Sequence, residues 1–309
     1  MTSKITLIGN VNIDLVMGPS HVWPKFGTEV VLPHSEWRVG GATGNSALAL
    51  QALGADFRII ANRGDDHFGE WLAKPFGAQS KNWAVSRGGT GLSVGITHPD
   101  GERTFFTALG HLDEFKVDHV IDQLPRSAEP GEVALLSGVF VTPLLGEHYE
   151  ELIALLKQRG FAIALDTGWP TTGWTDPIRQ SILKWCASCD HLLLNELETR
   201  SLIGFTDNPI EDVALAMMDI LADHGTVVMK CGPQGALACR KGQLVRQPAP
   251  ETTVVDTIGA GDVFNAAYLW ALSQGRDLSA ALKAAVDTAS TAIATQPRRY
   301  SQKPMALAS

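Results

Sequence analysis

Short apolar runs alternate with amphipathic stretches along most of this chain, and that alternation restricts the possible fold more than any other feature. Residues 5–8, 57–61, 133–136, 162–165, 191–194 and 227–230 read as strands. Residues 45–53, 69–76, 147–159, 176–185 and 211–224 read as helices between them. The strand runs are apolar at successive positions rather than alternate ones, as expected of strands covered on both faces. The pattern predicts an α/β fold in which βαβ units build a largely parallel central sheet flanked by helices. No linker, internal repeat or low-complexity tract interrupts it, so residues 1–309 are expected to form one domain.

Two stretches break the rhythm. Residues 13–39 and 91–109 contain strand-like segments (29–32, 92–97 and 104–107) and turns such as Pro99-Asp100-Gly101, but no helix. They are expected to pair into a small β-sheet lid over a cleft, the alternative being insertions at a sheet edge.

The formal charge of −8 argues against a nucleic-acid binder working through a broad basic surface. The N-terminus lacks a signal-peptide pattern and no run reaches membrane-spanning length, so no membrane partner and a cytoplasmic location are expected. Cys186 and Cys189 form a Cys-x-x-Cys, but Cys231 and Cys239 have seven residues between them and make no second zinc pair. Buried, reduced thiols are the expectation.

The segment richest in chemistry is Asp256-Thr257-Ile258-Gly259-Ala260-Gly261-Asp262, a glycine turn running into an apolar helix. Such a turn points backbone N–H groups at one place, where the helix start adds positive partial charge. Phosphate oxygens suit that cradle, and Asp262 at its mouth is placed to take a proton from a hydroxyl. The helix start is expected to lower the Asp262 pKa. A plain helix cap is the competing reading. Phe264 replaces the third glycine of a dinucleotide fingerprint, and no Walker-type lysine loop occurs. Upstream, Gly40-Gly41 precedes a helix with Asn45 in its first turn, and Asn12 and Asp14 lie two apart on an extended segment. Amides and carboxylates so placed bind paired hydroxyls, although an Asx-turn would use the same residues.

In this order the segments resemble the PfkB-type carbohydrate kinases of the ribokinase superfamily, over nearly the whole chain. Asn62-Arg-Gly64-Asp65-Asp66-His-Phe-Gly69, Asn195-Glu-Leu-Glu198 and Lys230-Cys-Gly232-Pro-Gln-Gly235 match three further family motifs. The resemblance implies ATP-dependent phosphorylation of a hydroxyl on a small, unphosphorylated sugar, by a ribokinase-like fold that often dimerises through its β-lid. It implies Asp262 as catalytic base and Gly259, Ala260 and Gly261 as anion hole. Asn12, Asp14, Gly40, Gly41 and Asn45 would hold the acceptor. Asn195, Glu198, Lys230, Gly232, Gly235 and Thr257 would serve ATP, with Glu198 acting indirectly on Mg2+ and Asp256 on a monovalent cation such as K+.

The chain departs from the family pattern in several places. Ala42 stands where ribokinases usually have lysine, and no acid occurs in Gly138-Val-Phe-Val-Thr-Pro143. Asp166-Thr-Gly168-Trp-Pro170 lacks the asparagine and arginine of fructokinase relatives, and Arg298-Arg299-Tyr300 replaces a Gly-Ala turn. Ribose is therefore disfavoured. A nucleoside kinase, with Trp37, Phe105 and Phe106 as one base-stacking face, and a catalytically silent sugar-binding regulator remain alternatives.

Overall fold

A computed structural model describes residues 3–99, 103–221 and 224–300. Eight strands form the main sheet in the order 243–247, 236–240, 226–230, 191–195, 162–166, 133–137, 5–9, 57–60. The six from Phe57–Ile60 to Thr226–Lys230 are parallel, and Ala236–Arg240 and Gln243–Gln247 close one edge as an antiparallel pair. Successive strand residues serve opposite faces. Leu7, Leu135, Leu193 and Val228 pack toward helices Ala42–Ala52, Ala260–Ser273 and Leu278–Ile293. Ile8, Leu136, Leu165 and Leu194 pack toward helices Tyr149–Gln158, Asp176–Ala187 and Ile210–Met218. Both faces are buried, which is why the runs read as continuously apolar.

The chain order reverses beside Ile5–Gly9: Phe57–Ile60 pairs on one side of it and Val133–Ser137 on the other. In open α/β sheets the crevice at the carboxyl ends of strands near such a reversal is where ligands bind. Asp166, Asn195 and Lys230 are the last residues of their strands.

A second, four-stranded sheet runs in the order 34–40, 12–18, 92–97, 103–108. The expected strand at 29–32 is absent. That segment is irregular and largely exposed, and pairing starts at His34, just past Pro33, which has no N–H to give to a ladder. Every strand of this sheet joins the main body at the same end, where Asn12 faces Gly40 and Leu92 faces Ala108. Buried His111 pins that end: its Nδ1 accepts from Gly91 N at 2.8 Å and its Nε2 lies 3.0 Å from Val11 O. Burial pushes its pKa down to about 4, so the ring is neutral and Nε2 carries the donated proton. Asp66, from the Gly-Asp-Asp motif, caps helix His67–Ala73 through Gly69 N and also takes Thr90 N at 2.8 Å.

Elsewhere the expected helix at 211–224 ends at Met218. Cys186 and Cys189 are buried free thiols, and burial pushes the Cys186 thiol up to about 12. No described helix is long and apolar enough to cross a membrane.

Candidate active site

The glycine turn is built as an N-cap. Gly259 has φ 74°, in the left-handed region, and caps helix Ala260–Ser273. A Cβ there would also stand 2.6 Å from Asn45 Nδ2, so no larger residue fits. Asn45 Nδ2 donates instead to Asp262 Oδ2 at 2.9 Å, and Ser46 Oγ donates to the Asp262 carbonyl at 3.1 Å. Two motifs separated by more than two hundred residues thus meet at one carboxylate.

Around that point are two cavities. The larger, about 920 Å³, is lined by Asn195, Glu198, Lys230, Gly232, Gly235 and Thr257, and reaches Gly259, Ala260, Gly261 and Asp262. Arg103 from the small sheet also lines it. The smaller, about 450 Å³, lies between the small sheet and the C-terminal segment; Arg38, Asn45, Asp256 and Arg298 line it.

At the base of the small sheet the polar residues form a chain. Asn10 Nδ2 donates to Asn12 Oδ1 at 3.0 Å, and Asn12 Nδ2 donates to Asp14 Oδ1 at 2.9 Å. The Asn12 amide is therefore spent on orienting Asp14. Gly40 is the residue that admits this carboxylate, since a Cβ at Gly40 would lie 2.1 Å from Asp14 Cγ. A Cβ at Gly41 would stand 2.6 Å from Asn10 O and 2.7 Å from Asn12 Oδ1. Burial raises the Asp14 pKa to about 6, against the pull of Arg38.

On the other side Asn195 and Glu198 form a reciprocal capping box at the start of helix Glu196–Ile203, with bonds of 2.7 and 2.9 Å. Lys230 Nζ pairs with Asp166 Oδ2 at 2.7 Å and lies 3.3 Å from Asn265 Oδ1. It also reaches within 3.3 Å of where a Gly261 Cβ would stand, directly beside the turn. Burial opposes the charge on this lysine, but Asp166 and Glu198 outweigh it and raise its pKa. Burial and repulsion from Asp166 lift Glu198 to about 7.

Asp262 behaves contrary to the sequence expectation. Its pKa is raised to about 7, first by burial and then by the charge of Asp166, with Asn45 and Lys230 pulling the other way. The helix start is outweighed first because burial strips water from the carboxyl, and then because Asp166 and Asp14 add like charge. Asp256 is the other exception among the expected residues. Its Oδ1 accepts from Ile258 N at 2.8 Å, and its Oδ2 from Arg38 and Arg298, so its lone pairs face protein donors and do not fit a metal ion.

Sequence reasoning passed over Asp166, Asn265, Arg38 and Arg298. Asp166 ends a strand facing the crevice and Asn265 lies three residues after Asp262, one helical turn on; those positions were the available signal. Nothing local marked Arg38, and Arg298 stood out only within Arg298-Arg299-Tyr300, where the family pattern has a Gly-Ala turn. The three lid aromatics do not share a face. Trp37 pairs in register with Leu15 and stacks on Phe68 at 5.4 Å, and Phe106 pairs with Val94. Phe105 faces the opposite way, beside Gly95 and Ile258.

A large cleft beside a glycine-capped helix start, with a raised-pKa carboxyl at its edge, fits a phosphotransferase acting on an alcohol group. Residues 2–303 match the pfkB family of carbohydrate kinases, and the chain belongs to that family of ATP-dependent sugar kinases. It is 26% identical over 293 residues to a ribokinase of Bacillus subtilis, covering 94% of this chain and 92% of that one. A fructokinase of Klebsiella pneumoniae is also 26% identical, covering 88% and 85%. The solved structure of an adenosine kinase from Sinorhizobium meliloti superposes with a TM-score of 0.76 at 20% identity, covering 97% and 96%.

Proposed function

We propose that this kinase moves the γ-phosphoryl group of ATP to a hydroxyl of a small, unphosphorylated sugar. Asp262 accepts the proton, and the N–H groups of Gly259, Ala260 and Gly261 receive the phosphoryl oxygens. The new bond joins the acceptor oxygen to the γ-phosphorus, the bond to the β-phosphate oxygen breaks, and ADP leaves. The observation that carries the reading is the Asn45–Asp262 hydrogen bond, which sets the carboxylate where the two cavities meet. A pKa near 7 makes Asp262 a stronger base than an ordinary aspartate and leaves it largely ionised in mildly alkaline solution.

Asp14, oriented by Asn12 and admitted by Gly40, would accept the sugar hydroxyls, with Gly41 keeping the approach open. Lys230, Gly232, Gly235, Thr257 and the Asn195–Glu198 box would line the ATP side. Glu198 offers a hard oxygen donor that suits Mg2+, acting indirectly, whereas the Asp166 oxygens already accept from Gly168 N, Lys230 Nζ and Asn265 Nδ2 and serve to hold Lys230. Bound there with the triphosphate, Mg2+ would neutralise charge on the phosphates.

An unphosphorylated acceptor is favoured because Asp256 offsets much of the charge of Arg38 and Arg298, the arginines lining the smaller cavity, although Arg38 Nε and Nη2 keep no partner among the described residues. The small sheet would act as the lid of a single kinase domain. Its other face carries Leu15, Trp37, Val94 and Phe106, and we assign that face to a second copy of the chain. Cytoplasmic ATP and the four unpaired cysteines fit a cytoplasmic enzyme.

A second reading, a nucleoside acceptor, draws on Phe105, which lies on the Asp14 face of the small sheet and is 47% exposed, open to stack a base. A panel measuring ADP release with neutral sugars, sugar phosphates and nucleosides tests both. Turnover is expected on a neutral sugar. Activity confined to a sugar phosphate would overturn the acceptor assignment, and activity confined to nucleosides would favour Phe105.

A further inference from the structure

The resemblance assigns Asp256 a monovalent cation, and the surroundings of this carboxylate are already cationic. Arg38 Nη1 donates to Asp256 Oδ2 at 2.5 Å and Arg298 Nη2 donates to the same oxygen at 2.9 Å. Ile258 N donates to Asp256 Oδ1 at 2.8 Å. Both guanidinium groups are largely buried, with side chains 17% and 13% exposed. They come from unrelated parts of the chain. Arg38 lies on small-sheet strand His34–Gly40, opposite Asp14 in register, and Arg298 follows helix Leu278–Ile293. Arg38 Nε and Nη2 are buried with no hydrogen-bond partner among the described residues, so desolvating this guanidinium is offset chiefly by Asp256.

The carboxylate so held starts the glycine turn. Asp256 N donates to Ile293 O at 3.1 Å, and Gly259, the N-cap, is three residues on. A metal ion at Asp256 would have to displace a guanidinium or sit beside two of them, and like charges at that range repel strongly in a partly buried site. We propose that Arg38 and Arg298 are positioning residues that act as fixed internal cations for the glycine turn, so that phosphoryl transfer by this enzyme needs no monovalent metal ion. The inference rests on the reading of that turn as the phosphoryl cradle. Arg38 also ties the cradle to the small sheet, whereas a diffusible ion would leave the two independent.

The test uses the full chain in alkali-metal-free buffer with Mg2+ held constant. Turnover and melting temperature are measured in potassium, sodium and tetramethylammonium chloride at equal ionic strength. The wild type is expected to give the same rate and the same melting temperature in all three. Arg298→Met should lose about tenfold in kcat, as loss of an outer positioning partner does, with ATP affinity nearly unchanged. Potassium or millimolar guanidinium should restore part of that loss, which a merely structural role would not allow. Arg298→Lys, keeping one positive charge, should stay above Arg298→Met. Potassium-specific activation or stabilisation of the wild type would overturn the proposal, as would wild-type kcat for Arg298→Met in tetramethylammonium. If Arg298→Met fails to fold, the wild-type salt series and Arg298→Lys still decide. If no sugar is turned over, the proposed function falls, while the melting series still tests the cation site.

Discussion

Replacing Asp262 by asparagine separates catalysis from stability, and the two should move in opposite directions. The carboxyl stands at about 7 against an ordinary 3.8, so the fold favours its neutral form. Its contribution is therefore fully present below the unfolded pKa and is lost as pH rises through about 7. At 1.36 kcal/mol per pH unit, a shift of about three units sets a ceiling of about 4 kcal/mol on the strain of ionised Asp262 at pH 8. The carboxylate opens onto the cleft, and solvent screening brings a realistic figure to about 1–2 kcal/mol. Asparagine keeps the shape and an oxygen for Asn45 Nδ2, but carries no charge for Asp166 to repel. In differential scanning calorimetry at pH 8, Asp262→Asn should melt about 2–4 °C above the wild type, a gain that shrinks below pH 7 and vanishes only near the unfolded value of 3.8. Its kcat should fall by about 10²–10⁴-fold, because no group there can take the acceptor proton. The wild-type kcat/KM should rise with pH and level off above about 7, and the variant should lack that limb. A variant that melts lower at pH 8 would refute the electrostatic account, and one that keeps most of its kcat would return Asp262 to plain helix capping.

Three further outcomes follow from the same geometry. Asp14→Ala should raise the sugar KM by an amount worth about 2–4 kcal/mol and leave ATP binding nearly unchanged, which steady-state kinetics with each substrate varied will check. Gly259→Ala forces a Cβ against Asn45 Nδ2 and strains a left-handed φ, so kcat should drop by about tenfold or more; an unchanged kcat would count against the cradle. Lys230→Met leaves Asp166 without its cation, so ATP binding by titration calorimetry should weaken by about tenfold or more, and an unaltered affinity would remove Lys230 from the nucleotide side.

Much of this was legible before any coordinates. The six parallel strands announce themselves as apolar runs because both of their faces are covered, and the glycine pairs stand out because few turns need them. Strand Asn12–Gly18 was harder to see, since its polar positions Asn12 and Asp14 face the body rather than solvent. The Asp262 pKa could not be read locally. Its direction comes first from burial in the folded crevice and then from Asp166, ninety-six residues away in sequence, and a helix start is only one of several influences acting there. Arg38 and Arg298 were invisible for a similar reason: their meaning is a shared partner, and sharing is a property of the fold.

The single-ended attachment of the small sheet turns it into a lever. His111 fixes the fulcrum, and each strand reaches away from it by about 3.3 Å per residue. Asp14, two residues out, swings on an arm of about 7 Å, whereas Gly18 and Thr97 near the tip swing on arms of about 20 Å. A tilt of about 10° would thus shift the tip by about 3.5 Å and Asp14 by little more than 1 Å. Contacts close to the fulcrum hold their geometry whether the lever is raised or lowered, so hydroxyl recognition at Asp14 is set once, by folding. Contacts at the tip, such as His34 Nε2 with Gln296 Nε2 at 3.4 Å, are the ones a tilt would make or break.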